Sequence, residues 1–185
     1  MAMGNKYGAH RVIEPKGLLP QAAQKIDNTM EIYDNEILID VSALNIDSAS
    51  FRQLWTASEQ NEERLRKMIL DIVGERGKMQ NPVTGSGGML MGSIAKIGSA
   101  LQNRKDIKVG DRIASLVSLS LTPLHIEEIL AVHHEIDRVD IKGQAILFES
   151  GIYAKIPADL PETLALSALD VAGAPAQTAK LVKPG

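Results

Sequence analysis

The residues that could most readily do chemistry in this sequence are four histidines and a glycine-rich turn. The histidines, none of which belongs to a His-Glu-x-x-His motif, are His10, His125, His133 and His134. A zinc site requires three or four suitably spaced ligands, and acidic residues typical of a solvated segment surround His133 and His134. The sequence has no cysteine, which excludes thiolate nucleophiles and cysteine-ligated zinc. These residues therefore predict no metal centre.

The glycine-rich turn Gly85–Gly88 suggests a phosphate-binding loop, but its spacing is wrong. The Gly-x-Gly-x-x-Gly fingerprint requires a third glycine where Leu90 stands, and no Gly-Lys-Ser/Thr motif follows. A nucleophile elbow of the form Gly-x-Ser-x-Gly is also absent. The motifs therefore predict neither a cofactor-phosphate loop nor a hydrolase nucleophile.

Charge and composition exclude further classes of partner. The 20 basic and 23 acidic side chains give a net charge of −3, so we expect no broad basic face and no nucleic-acid partner. No apolar run approaches the ~18 residues of a membrane span, so we expect no membrane partner. The first residues lack the apolar stretch of a secretory signal, and the absence of cysteine fits a reducing compartment. We expect a cytoplasmic protein.

Alternating apolar residues predict strands in the middle of the chain. Ile37, Ile39, Val41 and Ala43 would share one face of a strand over residues 36–44. Further strands are predicted over 89–97, from about 112 to 121, and over 143–156, with Gly151 as a bulge. Residues 125–138 are charged and ambiguous.

Helices are predicted after the first strand and at the end of the chain. Thr56 and Glu59 form a capping box, and Gly77 can end the helix that follows. A second capping box, Asp159-Leu-Pro-Glu162, opens a helix through about Ala172, and another follows over 174–182. The predicted fold class is mainly β with peripheral helices, α+β.

Two stretches resemble the GroES-like catalytic domain of the medium-chain dehydrogenase/reductase superfamily. From residue 82, Pro-Val-Thr-Gly-Ser-Gly-Gly leads into an alternating strand, and Lys108-Val-Gly-Asp-Arg-Ile-Ala114 follows. Ala172-Gly-Ala-Pro-Ala-Gln-Thr-Ala179 and Lys183-Pro-Gly185 resemble the approach to the first Rossmann strand. The resemblance covers about residues 30–185. It implies an irregular segment over 1–30, a barrel-type GroES-like catalytic domain over 31–158, and interdomain helices over 159–185. The nucleotide-binding Rossmann domain would be missing from this chain.

Within that superfamily, several segments resemble a zinc-independent, NAD-linked amino-acid dehydrogenase of anaerobic lysine fermentation. They include Asp34-Asn-Glu-Ile-Leu-Ile-Asp-Val41, Leu44-Asn-Ile-Asp-Ser-Ala-Ser-Phe51 and Gln144-Ala-Ile-Leu-Phe-Glu-Ser-Gly-Ile-Tyr-Ala-Lys155. The resemblance implies oxidation of the 3-amino group of a small diamino acid substrate. It also implies that NAD is bound mainly by the missing domain, that this chain alone is inactive, and that the full-length protein is a homo-oligomer, a dimer.

The resemblance also implies a set of site residues. Positions that hold zinc in relatives fall near Asn45–Ser48, at Ser86 and near Asp170, and they offer neither thiol nor imidazole, so no zinc is expected. The implied catalytic residues are Asp47, Asp170 and Ser48, and the implied substrate-binding residues are Ser86, Glu149 and Arg11. An acidic group would hold an ammonium or act as the base, and a guanidinium would hold a carboxylate.

Each of these site residues also has a simpler explanation. Asp47 and Asp170 could cap turns or helices, Ser86 could be a turn hydroxyl, and Arg11 could be an exposed surface residue. Two other functions remain open: a zinc-free quinone or enoyl reductase, and a non-enzymatic GroES-like binding module.

Overall fold

The structure is a computed structural model that describes residues 2–157, 159, 161, 164–165, 169 and 173–182. The strands are β1 (Val12–Glu14), β2 (Lys25–Ile26), β3 (Glu36–Ile46), β4 (Gly88–Ile97), β5 (Arg112–Ser115), β6 (Leu124–His133), β7 (Arg138–Phe148) and β8 (Tyr153–Lys155). The α-helices are α1 (Ser48–Ala57), α2 (Glu62–Arg76) and α3 (Gly173–Leu181). Two short 3₁₀ helices span Ala9–Arg11 and Ser99–Leu101. The predicted mainly β architecture with a few helices is confirmed.

Six strands form one antiparallel sheet in the order β6-β7-β3-β4-β5-β8. The long β3 lies near its centre, paired with β7 on one side and β4 on the other. Within the described part of the chain, the edge strands β6 and β8 do not pair with each other, so no closed barrel forms. The predicted GroES-like barrel is therefore not confirmed.

A bulge in β3 reverses the faces of its second half. The register shifts between Val41 and Ala43 against both β4 and β7. Ile37, Ile39 and Val41 lie in the main core, which continues at Leu44 and Ile46. Ala43, which was predicted on the same face as Ile37, instead belongs to a second apolar cluster with Met89, Met91, Ala114, Ile156 and Ala165. One extra residue in a strand produces this reversal because side chains alternate with a period of two.

The first helix begins earlier than the sequence predicted. Asp47 caps α1, which ends at Ala57, and Thr56 lies inside its last turn rather than at a helix start. Glu59 and Gln60 have φ of 56° and 57°, which is left-handed backbone that breaks the helix. Asn61 then caps α2, and Gly77 ends it in the left-handed conformation, as predicted.

The remaining strands differ from the prediction mainly at their boundaries. β5 ends at Ser115, so the run predicted to continue to residue 121 is not a strand beyond that point. The ambiguous segment contains β6, and Gly151 lies in the connection between β7 and β8 rather than in a bulge. The helix predicted from Asp159 to Ala172 lies largely outside the described residues, whereas α3 confirms the predicted helix over 174–182. No helix in the described ranges is long and apolar enough to cross a membrane.

Candidate functional site

A cavity of about 430 Å³ opens where β3 ends and α1 begins. It lies beside the second apolar cluster, with which it shares Met89. The side chains and backbone that line it are Asn45, Ile46, Asp47, Ser48, Ser86, Gly88, Met89, Leu116, Val117 and Ser118. We call this space the β3 cavity. Three of the predicted site residues, Asp47, Ser48 and Ser86, meet here although they come from separate segments.

Asp47 both lines the β3 cavity and caps α1. Its Oδ1 accepts hydrogen bonds from the amides of Ala49 at 3.1 Å and Ser50 at 3.3 Å. An N-cap carboxylate satisfies amides that have no partner within the helix and complements the positive end of the helix dipole. Asp47 therefore does have the capping role that the sequence left open, and the capping bonds hold its carboxylate in the lining of the cavity.

Asn81 holds the glycine-rich turn against α1. Its Oδ1 accepts from the amide of Val83 at 2.8 Å, and its Nδ2 donates to Gln53 Oε1 at 2.8 Å and to the Ser50 carbonyl at 3.3 Å. The backbone amide of Asn81 donates to the Ser86 carbonyl at 2.9 Å, which closes the turn. These bonds place Ser86 at the cavity.

The glycines of this turn allow close backbone approach rather than phosphate binding. A Cβ on Gly88 would lie 2.1 Å from the Asn45 carbonyl oxygen, and one on Gly87 would lie 2.5 Å from the Ser120 amide nitrogen. Gly88 also has a φ of 121°, which L side chains rarely adopt. Protein backbone therefore already occupies the space beside these glycines, where a pyrophosphate would have to lie.

Ser48 is hydrogen bonded to a residue that comes just before the neighbouring strand β7. Its Oγ donates to Oδ2 of Asp137 at 2.5 Å. Asp137 lies in the turn between β6 and β7, and its carbonyl accepts from the Ile46 amide at 2.9 Å. The end of β3 is thus held by the β6–β7 turn.

Two further predicted site residues, Arg11 and Glu149, do not line the β3 cavity. Arg11 is only 1% exposed, and its guanidinium forms a two-pronged ion pair with Glu36, with Nε–Oε1 2.8 Å and Nη2–Oε2 2.7 Å. It also donates to the carbonyls of Thr29 and Glu31. Glu149 accepts from Asn35 Nδ2 at 2.8 Å, and Asn35 in turn binds the backbone of Gly4. Asp170 lies outside the described residues.

Sequence reasoning missed four residues of this site: Asn45, Asn81, Ser118 and Asp137. Asn81-Pro82 is a recognisable turn signal, so the role of Asn81 could have been suspected from it. The other three carry no local motif. Asn45 shares a face with Ala43 by alternation, and the bulge puts that face opposite to Ile39 and Val41; a bulge is not visible in an alternating pattern.

The described residues do not fit a dinucleotide or a metal ion. Backbone lies directly against Gly87 and Gly88, and no glycine fingerprint joins a described strand to a described helix. Among the described residues, no group of three histidine, aspartate or glutamate side chains could hold a metal ion. We therefore derive no chemical step through NAD or zinc from these residues, and the predicted absence of zinc stays a prediction.

The β3 cavity has the character of a cation-binding site. Asp47 is the only charged side chain among the described residues that line it, and the neighbouring polar groups are hydroxyls and an amide. Hydrogen bonds between a carboxylate and an ammonium are short and roughly twice as strong as neutral ones. The arrangement can therefore hold an ammonium group, and a carboxylate ligand would find no cation in this lining.

Comparisons with known proteins give consistent results. The family described as L-erythro-3,5-diaminohexanoate dehydrogenase N-terminal domain matches residues 10–157. An L-erythro-3,5-diaminohexanoate dehydrogenase from Acetoanaerobium sticklandii is 69% identical over 98% of this chain and 53% of that protein. One from Fusobacterium nucleatum subsp. nucleatum is 67% identical over 100% of this chain and 53% of that protein. The chain thus spans about half the length of these relatives.

Comparison with solved structures gives weaker similarity, with much lower sequence identity. The CurF ER cyclopropanase from curacin A biosynthetic pathway aligns with 86% of this chain and 39% of that chain, with a TM-score of 0.40 and 14% sequence identity.

Proposed function

Because the chain belongs to the L-erythro-3,5-diaminohexanoate dehydrogenase N-terminal domain family, we propose that it is the substrate-binding half of such an enzyme. The proposed reaction converts L-erythro-3,5-diaminohexanoate, NAD⁺ and water into 5-amino-3-oxohexanoate, ammonium, NADH and a proton. It would serve anaerobic lysine degradation. When bound, NAD would accept the hydride that leaves C3.

The observation that carries this proposal is the charge of the β3 cavity. A 3,5-diamino acid carries two ammonium groups, and Asp47 gives this cavity a negative charge with no described lysine or arginine in the lining. A quinone or an enoyl thioester carries no ammonium and would gain nothing from an aspartate at this position. The cavity therefore favours an amine substrate over the reductase alternative.

In this proposal each residue has a separate task. Asp47 holds the reacting ammonium and takes a proton from it, and this proton passes to solvent. Asp47 then takes a second proton from the water that attacks the imine, and this proton leaves on the departing ammonia. Ser48 and Ser86 position the substrate by hydrogen bonds. The substrate's carboxylate and the dinucleotide would be held by other parts of the full-length protein, since the described lining of the cavity offers no cation and no pyrophosphate cradle.

The finer details of the family resemblance also belong to this proposal. We propose that the domain is a variant of the GroES-like catalytic domain of medium-chain dehydrogenases, and that the full-length enzyme is a cytoplasmic homodimer. An antiparallel sheet with helices at its periphery supports the first part. A structure of the full-length protein and its mass by analytical ultracentrifugation would test both.

The function itself is tested by turnover of the full-length protein. We expect equal amounts of NADH and ammonium to form from L-erythro-3,5-diaminohexanoate and NAD⁺. A second reaction should offer 3-aminobutanoate, which has the reacting amine but lacks the distal ammonium, and it should react much more slowly. Reduction of a quinone or an enoyl thioester by NADPH, without deamination of the diamino acid, would overturn the proposal.

A further inference from the structure

We propose that Asp137 is a positioning residue that sets the hydrogen-bonding polarity of Ser48 and so makes the β3 cavity selective for an ammonium. The inference rests on the proposed function. It concerns a residue that does not line the cavity itself and that no sequence motif marks.

The contact between the two side chains leaves one hydrogen-bonding direction. An ionised carboxylate only accepts hydrogen bonds, and a serine hydroxyl has one proton to donate and two lone pairs. Since Ser48 Oγ lies 2.5 Å from Asp137 Oδ2, its proton points towards Asp137. What Ser48 presents to the cavity is then an acceptor.

An acceptor beside Asp47 complements an ammonium, which has three donors and no acceptor. A ligand carboxylate would meet a second acceptor instead of a donor. If Asp137 were removed, the Ser48 hydroxyl could rotate and donate into the cavity, and this discrimination would weaken. Asp137 therefore acts on the substrate only through Ser48.

The backbone at Asp137 does not by itself explain the aspartate. Its φ is 55°, in the left-handed region that aspartate and asparagine adopt more readily than other side chains but that glycine adopts at still lower cost. The Asp137 carbonyl bond to the Ile46 amide is a backbone bond that any residue could make. Among the described residues, the bond to Ser48 is the one that uses the Asp137 carboxylate.

This geometry allows a clean set of variants in the full-length enzyme. Asp137→Gly removes the carboxylate and suits the left-handed backbone. Asp137→Asn keeps an oxygen that can accept from Ser48. Ser48→Ala removes the hydroxyl through which Asp137 is proposed to act. The double variant Ser48→Ala with Asp137→Gly completes a double-mutant cycle. Glu59→Gly is the matched control, because Glu59 has a closely similar φ of 56° and lies in the α1–α2 connection, outside the cavity lining.

We expect Asp137→Gly to raise KM for L-erythro-3,5-diaminohexanoate by about tenfold, the low end for a hydrogen bond to a charged group, with kcat little changed. Asp137→Asn should remain within about threefold of the wild type, because it restores the acceptor. In the Ser48→Ala background, Asp137→Gly should change KM by less than about twofold. Glu59→Gly should match the wild type in KM.

Three results would overturn the inference. Asp137→Gly with an unchanged KM would show that the hydroxyl needs no orientation. Additive effects in the double variant, or an Asp137→Asn defect equal to that of Asp137→Gly, would show that the charge acts directly rather than through Ser48. Failure of the proposed function would give a different result, because the wild-type enzyme itself would then not deaminate the diamino acid. In that case the inference about Asp137 would also be wrong.

Discussion

At the scale of single residues, Asp47 carries two roles that a substitution can separate. Asparagine caps helices about as well as aspartate, so Asp47→Asn should keep α1 while removing the charge. Loss of a charge-assisted bond to an ammonium predicts about a 10- to 150-fold fall in kcat/KM. Loss of a general base would add about 10²- to 10⁴-fold. Steady-state kinetics on the full-length enzyme measures the loss of activity, and the melting temperature shows whether the cap of α1 is kept.

The matched control for Asp47 is the second helix cap. Asn61 caps α2 through the Arg64 amide at 3.0 Å and does not line the β3 cavity. Asn61→Ala should lower stability by about 1 kcal/mol and leave kcat/KM unchanged. If Asp47→Asn also leaves kcat/KM unchanged, Asp47 is a helix cap and nothing more.

The buried ion pair between Arg11 and Glu36 predicts a change in stability rather than in activity. Glu36→Gln would leave the fully buried guanidinium with only the longer ion pair to Asp27, Nη1–Oδ2 3.5 Å, and breaking a buried pair typically costs about 3–5 kcal/mol. The free energy of unfolding from urea titrations checks this. Glu127→Gln, which breaks the exposed pair with Lys142, is the control and should leave that free energy nearly unchanged. A stable Glu36→Gln variant with a raised KM would restore the substrate-binding role predicted for Arg11.

At the scale of elements, the turn from Asn81 to Gly88 positions one wall of the β3 cavity. Two of its glycines have left-handed backbone but different surroundings: Gly88 lies against the Asn45 carbonyl, whereas a Cβ on Gly85 would meet nothing within 4 Å. The φ of Gly85, 72°, is close to the left-handed value that alanine can adopt, whereas the φ of Gly88, 121°, is not, so both backbone strain and lack of space disfavour alanine at Gly88.

Gly88→Ala should therefore be far more damaging than Gly85→Ala. Gly85→Ala should cost about 1–2 kcal/mol, the price of a left-handed alanine. Gly88→Ala should cost more than about 4 kcal/mol, because a Cβ 2.1 Å from a backbone oxygen forces β3 and β4 apart. Thermal unfolding of the two variants gives the comparison. Equal losses of stability would mean that β3 and β4 can move apart at little cost. Glycine would then be required at position 88 by its backbone conformation and not by lack of space.

At the scale of the whole molecule, the chain has a cavity suited to an amine but no described site for a dinucleotide. We therefore expect the isolated 185-residue chain to bind NAD negligibly and to have no dehydrogenase activity. Calorimetric titration with NAD tests this, with the full-length enzyme as the positive control. Micromolar binding by the isolated chain would contradict the division of tasks proposed above.

The sequence determined those elements whose signals are local. Strand β3 is indicated by apolar residues that alternate with a period of 2, and helix α2 by apolar residues that recur with a period of 3.6. Both patterns can be recognised within about ten consecutive residues. Gly77 ends α2 because glycine adopts left-handed backbone without strain. The resemblance also selected Asp47, Ser48 and Ser86, which the structure brings together in one cavity.

Tertiary structure decided what depends on pairing between distant segments. The bulges in β6 disrupt its alternation against β7, which is why that strand was ambiguous in the sequence. The bulge in β3 puts Asn45 on the face opposite to Ile39 and Val41, and it can be recognised only from its partners β4 and β7. Arg11 became a buried ion-pair partner because Glu36 folds against it. The bond from Ser48 to Asp137 joins residues 89 positions apart, and no local pattern encodes such a contact because the sheet order alone brings the two turns together.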